Sequence, residues 1–578
     1  MNRFLRRLLW LTGLTLVLLS SGTQALPPLI NSASLAQPVW APQGMVSTQE
    51  RLATQVGVDI LRQGGNAIDA AVAVGFALAV TLPRAGNLGG GGFMLIHLAE
   101  TQQTVALDYR EIAPSSAHRD MYLNEDGSVD SNRSRFHGLA VGVPGTVKGL
   151  LTALREYGTL SPRQVIRPAI QLASRGFPVS HDLAQSLQRS RKRLTRWPAS
   201  AQVFYHRDGS DYETGEILRQ SHLANTLRGI ARDGEAGFYQ GRTAQRIVDA
   251  VNQAGGNMSL QDLTDYQVKL REPVWGNYRG YRIASMPPPS SGGTHIVQIL
   301  NMLEHFDLAA FGHNSAQSMH LMAESMKRAY ADRSEYLGDP DFIDVPVQRL
   351  TSKAYADHLV KQIDPAQATD SQQVKPGLSS FEESPQTTHF SVVDRWGNAV
   401  SNTYTLNFSY GSGIMAAGTG VLLNNEMDDF SAKPGVANAY GLIGGDANAV
   451  EARKRPLSSM SPTLVFPPDS QNVMLVTGSP GGSRIITTTL QIISNVIDHQ
   501  MNIAEATQAP RFHHQWLPDK LTVEKGFSVD TLRLLEEKGH QLDVSRWAMG
   551  STQSILRVED GWSGASDPRQ SDSLTLGH

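Results

Sequence analysis

Residues 387 to 407 place the tightest constraint on how this chain can fold. Thr387-Thr388-His389-Phe390-Ser391-Val392-Val393 alternates polar and apolar side chains, Asp394-Arg395-Trp396-Gly397-Asn398 supplies turn residues, and Ala399 to Leu406 returns as a second run. Period-two patterning around a turn of this composition specifies a β-hairpin. It holds Thr387 on a rigid edge and carries Thr405 and Asn407 back toward it. A Thr pair alone is ordinary strand sequence. A Thr hydroxyl becomes a useful nucleophile only beside a base, and one such base is its own α-amine once the preceding peptide bond is cut. A free α-amine titrates at roughly 7.7 to 8.0, so much of it accepts a proton near neutral pH. Thr387 is therefore expected to be an N-terminal nucleophile released by self-cleavage after Gln386.

The rest of the chain agrees with a large exported precursor. Among 578 residues no long Pro/Ser-rich linker, charge run, repeat or low-complexity tract appears. The weakest patterning lies between Pro365 and Glu383, and an exposed, cleavable segment is expected there. Arg3, Arg6 and Arg7, the apolar run Leu8 to Leu19 and Ala25 read as a signal peptide. The run is shorter than the ~20 residues that span a bilayer, so export without a stable membrane anchor is expected. There is no Cys, which rules out a disulfide, a thiol nucleophile and a lipid-modified Cys.

Several other chemistries find no support. Without the three leader arginines, 48 basic and 54 acidic residues leave a net charge of −6, and no basic stripe suggests nucleic acid. Arg189-Ser190-Arg191-Lys192-Arg193 is expected to be a solvated helix face. H-E-x-x-H, G-x-x-x-x-G-K-[ST] and G-x-S-x-G are absent. Gly411-Ser412-Gly413-Ile414-Met415-Ala416 fits the loose dinucleotide pattern, but strand-like Gly420 to Leu423 follows it where a helix would be required. His513 and His514 are adjacent and point different ways, so packing is expected of them and not metal binding. No metal or cofactor is expected.

Elements can be placed around the hairpin. Ser47-Thr48-Gln49-Glu50 reads as a capping box opening a helix to about Leu61. Gly64-Gly65 ends it, and Asn66 caps a second helix whose Ala and Val on all sides predict full burial. Ser315 or Ala316 to Tyr336 is expected to be an amphipathic helix with Met319, Met322 and Met326 in the core, and Val529 to Lys538 a later one. Strands are expected at His389 to Val421, Pro462 to Val476 and Leu521 to Glu524. Helices flanking a mainly antiparallel pair of sheets accommodate both sets.

The hairpin is followed in order by Asn424-Asn425-Glu426-Met427-Asp428-Asp429-Phe430, Lys454-Arg455-Pro456-Leu457-Ser458-Ser459-Met460-Ser461-Pro462-Thr463 and Thr477-Gly478-Ser479-Pro480-Gly481-Gly482-Ser483-Arg484. It is preceded by Gly64 to Ala71, Gly89 to Phe93, Leu107-Asp108-Tyr109-Arg110-Glu111, Val143-Pro144-Gly145 and Pro287 to His295. In this order the chain resembles the γ-glutamyltranspeptidase family, also called glutathione hydrolases, of the N-terminal nucleophile superfamily. The resemblance implies an α/β (α+β) fold, a four-layer αββα sandwich built from both pieces of a cut precursor. Residues 1–25 would be the signal, 26–386 the large subunit and 387–578 the small subunit.

It also implies a γ-glutamyltransferase and glutathione hydrolase acting through a glutamyl-Thr387 ester, with glutathione and related γ-glutamyl compounds as donors. Water, amino acids or dipeptides would be acceptors. The donor carries an α-carboxylate, an α-ammonium and an amide carbonyl, so the site needs a cation, anions and an oxyanion hole. At the family's glutamyl-binding positions Arg110 offers a planar fork to the carboxylate, helped by Ser458 and Ser459. Asn407, Glu426 and Asp429 accept from the ammonium. In isolation Arg110-Glu111 would read as a surface ion pair. Gly481 and Gly482, ahead of a helix-like run from Arg484, are expected to form the oxyanion hole, and Thr405 to orient Thr387. The segment Lys433 to Lys454, with Tyr440 near its middle, resembles the lid loop over the glutamyl pocket and argues against an acylase for bulky donors. Periplasmic or secreted localisation is expected.

Overall fold

The computed structural model describes residues 34–374 and 387–578, apart from 434, 437, 440, 441 and 443. The signal segment, Gln386 and Tyr440 lie outside the described residues.

Two seven-stranded sheets form the centre. One runs Leu574–Gly577, Met45–Thr48, Thr388–Val393, Ala399–Thr405, Gly91–Leu98, Gln103–Asp108, Lys269–Arg271. The other runs Val39–Ala41, Gly561–Ser566, Gln553–Val558, Leu475–Thr477, Thr463–Phe466, Tyr281–Ser285, Val274–Tyr278. Every neighbouring pair in both is antiparallel. Strand alternation divides the core into layers. Phe93, Leu95, Leu464, Phe466 and Ile555 point between the sheets. Met94, Ile96, Phe390, Val392 and Val400 pack outward against helices that include Ala67–Thr81. Val465, Leu475 and Leu556 face the helices on the other side. The result is helix, sheet, sheet, helix, the four-layer sandwich expected.

The hairpin forms in the register its sequence sets, with Thr388 opposite Tyr404 and Val393 opposite Ala399. At the turn, Asp394 Oδ1 accepts from the Trp396 and Asn398 amides at 2.9 and 3.0 Å. Its Oδ2 accepts from the Ala67 amide at 2.8 Å, which ties the hairpin to a helix N-terminus. The polar members of the alternation do not face water. Ser391 Oγ donates to the Gln553 carbonyl at 2.7 Å and Ser401 Oγ to that of Thr477 at 2.9 Å, so hydroxyls stitch the two sheets together. His389 is buried in the same layer between the Thr403 and Ser391 hydroxyls.

Four expectations need correction. Ser47 and Thr48 belong to a strand paired with Ser391 and Phe390, and the helix is Arg51–Arg62 with Glu50 as N-cap, its carboxylate accepting from the Leu52 and Ala53 amides. The Thr48 hydroxyl instead donates to the Glu50 carbonyl. The helix Ala316–Tyr336 is not amphipathic: both its methionines and its Glu324, Lys327, Arg328, Asp332 and Arg333 are buried. Ion pairing makes this possible, since Glu324 lies 3.1 Å from Lys327 and 2.7 Å from Arg328. In the basic cluster, Arg193 is drawn off the solvated face; its guanidinium donates to the Ser409 carbonyl and sits 5.8 Å from the Phe136 ring centre. Finally, the stretch after Pro365 is docked as far as Val374, where the Trp516 indole donates to the Ser371 and Val374 carbonyls, both at 2.9 Å.

Candidate active site

Thr387 stands immediately before the strand Thr388–Val393 and faces Thr405 at the end of the returning strand. Its Oγ1 donates to Thr405 Oγ1 at 3.4 Å. Thr405 is itself placed by two hydrogen bonds. Its carbonyl accepts from Asn87 Nδ2 at 2.9 Å, and its Oγ1 accepts from the Asn407 amide at 2.8 Å. A Cβ on Gly90 would stand 2.0 Å from the Thr405 carbonyl oxygen, so only glycine lets the next strand approach here. Asn407 takes a left-handed backbone, φ 73°, and its Nδ2 donates to the Asn425 carbonyl at 2.9 Å.

One cavity collects most of the residues picked out in the sequence. Thr387, Thr405, Arg110, Asn407, Glu426, Asp429, Ser458, Ser459 and Gly482 line it. Gly481 precedes it in the same turn but is not on the wall. Both glycines have positive φ, 133° and 58°, which a side chain would strain. Their carbonyls accept from the Arg484 and Ile485 amides as the helix Arg484–Ile497 begins, so this turn presents a helix N-terminus to the cavity.

Charge is concentrated at the opposite wall. Arg110 follows the strand Gln103–Asp108, and its amide is capped by Asp108 Oδ1 at 3.0 Å. Its guanidinium pairs with Glu426 and Asp429, donates to the Pro456 carbonyl at 3.2 Å and that of Leu457 at 3.3 Å, and lies 3.9 Å from Glu111. Arg110, Glu111 and Glu426 are buried and Asp429 is partly exposed, so Arg110-Glu111 is not a surface pair. Burial acts to lower the Arg110 pKa, but Glu426, Asp429 and Glu111 outweigh it and raise it. Burial pushes the Glu111 carboxyl up to about 7 against the pull of Arg110. It likewise raises Glu426 and Asp429, again with Arg110 opposing.

Sequence reasoning missed Arg333, Ser483, Met460, Ile485 and Leu442, which also line the cavity. Arg333 comes from the helix Ala316–Tyr336, where alternating charges gave no hint of burial. Burial, aided by Arg110 and opposed by Tyr330 and Asp429, pulls its pKa down to about 10. His513 and His514 lie elsewhere, packed against the Thr487 hydroxyl at 2.8 Å and Asp519 at 3.1 Å.

A threonine at the head of an inner strand, facing a cavity between two packed antiparallel sheets flanked by helices, defines the class of N-terminal nucleophile hydrolases. A family model described as gamma-glutamyltranspeptidase matches residues 53–576. The glutathione hydrolase proenzyme of Escherichia coli K12 is 55% identical over 94% of this chain and 93% of that protein. The solved γ-glutamyltranspeptidase of Helicobacter pylori is 45% identical, covers 62% of this chain and 99% of that one, and superposes with a TM-score of 0.56. A cephalosporin acylase from Bacillus halodurans, 28% identical, covers 95% of this chain and 99% of that one with a TM-score of 0.82. The chain belongs to the γ-glutamyltranspeptidase family.

Proposed function

We propose that this protein is a γ-glutamyltransferase and glutathione hydrolase that activates itself by cutting between Gln386 and Thr387. The observation that carries the reading is the meeting, in one cavity, of a Thr hydroxyl, the Arg110-Glu426-Asp429 ion-pair cluster and a glycine turn at a helix start. A γ-glutamyl group has a matching set: a carbonyl to be attacked, an α-carboxylate and an α-ammonium.

In the precursor the Thr387 nitrogen is an amide and not a base. The Thr387 hydroxyl attacks the Gln386 carbonyl, the acyl group passes from nitrogen to oxygen, and water splits the ester. This frees the Gln386 carboxylate and the Thr387 α-amine. In the mature enzyme that amine takes the hydroxyl proton as Oγ1 attacks the γ-carbonyl, and the proton passes to the departing amine, which for glutathione is Cys-Gly. Water, an amino acid or a dipeptide then resolves the ester, returning the proton to Oγ1. Thr405 orients the nucleophile by its hydroxyl. Amides at the Gly481-Gly482 turn stabilise the oxyanion, where losing one donor typically costs roughly 100- to 1,000-fold in rate.

Arg110, Ser458 and Ser459 bind the α-carboxylate, and Asn407, Glu426 and Asp429 the ammonium. Arg110 is neutralised by the acids that would take the ammonium, so a zwitterionic donor exchanges internal ion pairs for its own. The protein works outside the cytoplasm, in the periplasm or secreted, as two associated fragments. Among the described residues no helix is long and apolar enough to cross a membrane.

The test is a donor panel on the mature protein: glutathione, γ-glutamyl-p-nitroanilide, and a glutaryl amide that lacks the α-amine. The first two are expected to be turned over, and the glutaryl amide at least about 100-fold more slowly, since an unmatched buried carboxylate pair would remain. Preference for the glutaryl amide would make the protein an acylase.

A further inference from the structure

Arg333 has no part in the reading above, yet the residue is only 5% exposed and lies in the cavity wall behind Ser458 and Ser459. Its Nε donates to Ser291 Oγ at 2.9 Å and its Nη2 to Ser459 Oγ at 3.2 Å. A guanidinium carries five N–H donors and no acceptor, so both serine oxygens must accept. That sets the direction of the remaining protons. The Ser291 hydroxyl donates to the Ser458 carbonyl at 2.8 Å. The Ser459 hydroxyl keeps its proton for the cavity.

The backbone of the serine pair is held from the same side. The Ser291 amide donates to the Ser458 carbonyl and the Ser458 amide to the Pro289 carbonyl, both at 2.8 Å. Arg110 already spends its charge on Glu426 and Asp429, whereas both hydrogen bonds of Arg333 go to neutral hydroxyls. The cavity thus holds a second buried cation that makes no ion-pair contact among the described residues and feels only the more distant Asp429 carboxylate, placed where an anion would meet the Ser459 proton.

We propose that Arg333 is a positioning residue for the donor's α-carboxylate: it turns the Ser459 O–H into the cavity and backs the serine pair with positive charge. The pocket is thereby selective for donors and inhibitors that carry a free α-carboxylate. This rests on the γ-glutamyl reading of the site. It predicts a difference between glutamate and 4-aminobutyrate, which keeps the amine and chain length but lacks the α-carboxylate.

The experiment measures inhibition of γ-glutamyl-p-nitroanilide hydrolysis by each compound, in the wild type and in Arg333→Gln, after fragment masses show both proteins self-cleaved. The substitution is expected to weaken glutamate about 10- to 100-fold, the range for a charge-assisted contact, and 4-aminobutyrate less than about threefold. KM for the γ-glutamyl donor should rise in parallel, with kcat within about threefold. Equal weakening of both inhibitors, or of neither, overturns the proposal. If Arg333→Gln does not mature, Ser291→Ala breaks the same relay from outside the cavity. It should weaken glutamate selectively by about 3- to 10-fold, and an equal effect on both compounds overturns the proposal again. A mature wild type that ignores both glutamate and the γ-glutamyl donor would remove the γ-glutamyl reading itself.

Discussion

Three carboxyls, Glu111, Glu426 and Asp429, surround one paired guanidinium, Arg110, and burial raises the pKa of all three. Near pH 7 the cluster is therefore poised to hold a proton, which a bound α-ammonium would replace. Donor binding favours the deprotonated form, so affinity should fall as pH drops below the Glu111 value of about 7. We predict that KM for a γ-glutamyl donor rises from pH 7 to pH 5, approaching about tenfold per unit, and that Glu426→Gln flattens the profile. A pH-independent KM in the wild type would contradict this. Thr387, Arg110 and the serine pair were legible in the sequence because motif order singles them out. Glu111 and Arg333 were not, because an Arg-Glu dipeptide and a charge-rich helix look the same in sequence whether solvated or buried. Tyr440, which the resemblance alone makes a substrate-binding residue of the lid, lies outside the described residues.

The helix Ala316–Tyr336 touches both walls of the cavity from one face. Three residues before Arg333, the Tyr330 hydroxyl donates to the Ser483 carbonyl, next to Gly482. Tyr330→Phe should loosen the glycine turn without touching the carboxylate pocket. The expected result is a fall in kcat of about tenfold with KM within about twofold, measured on fully cleaved protein. A change confined to KM would contradict it. The element boundaries show what patterning conveys. The all-apolar helix Ala67–Thr81 and the hairpin were legible because burial on every side and period-two alternation leave few alternatives. The alternation did not reveal that its polar face points into the seam between sheets, where Ser391 and Ser401 bond across. The capping box failed for a related reason: Ser47-Thr48 had a strand partner more than 300 residues away, a long-range pairing that outcompetes a local cap.

The two proposed fragments interleave through both sheets. Met45–Thr48 lies between Leu574–Gly577 and Thr388–Val393, so fragment separation would mean dismantling a sheet. Acid should unfold this assembly early. His295, His389, His513 and His540 are buried, and desolvation lowers each to about 3. Their folded pKa lies below the unfolded value, so the unfolded chain binds protons first; stability is complete above about pH 6.5 and is lost toward pH 3. Each imidazole contributes about 1.4 kcal/mol of loss per pH unit in that window. Eight carboxyls raised by burial oppose it, Glu50, Glu111, Asp332, Asp339, Asp394, Glu426, Asp428 and Asp429, but desolvation lowers seven further histidines, His97, His137, His313, His320, His499, His514 and His578, which makes eleven in all. Calorimetry between pH 7.5 and 5 should show Tm falling steadily, and a flat profile would mean that these histidines are not held neutral. The central claim is the self-made nucleophile, and it is tested most directly by denaturing mass and N-terminal sequencing of the folded wild type and of Thr387→Ala. The wild type should yield two fragments, the smaller beginning Thr387-Thr388-His389, and the variant a single inactive chain. An uncut wild type that still turns over a γ-glutamyl donor, or a variant that cuts itself and does so, would contradict the account.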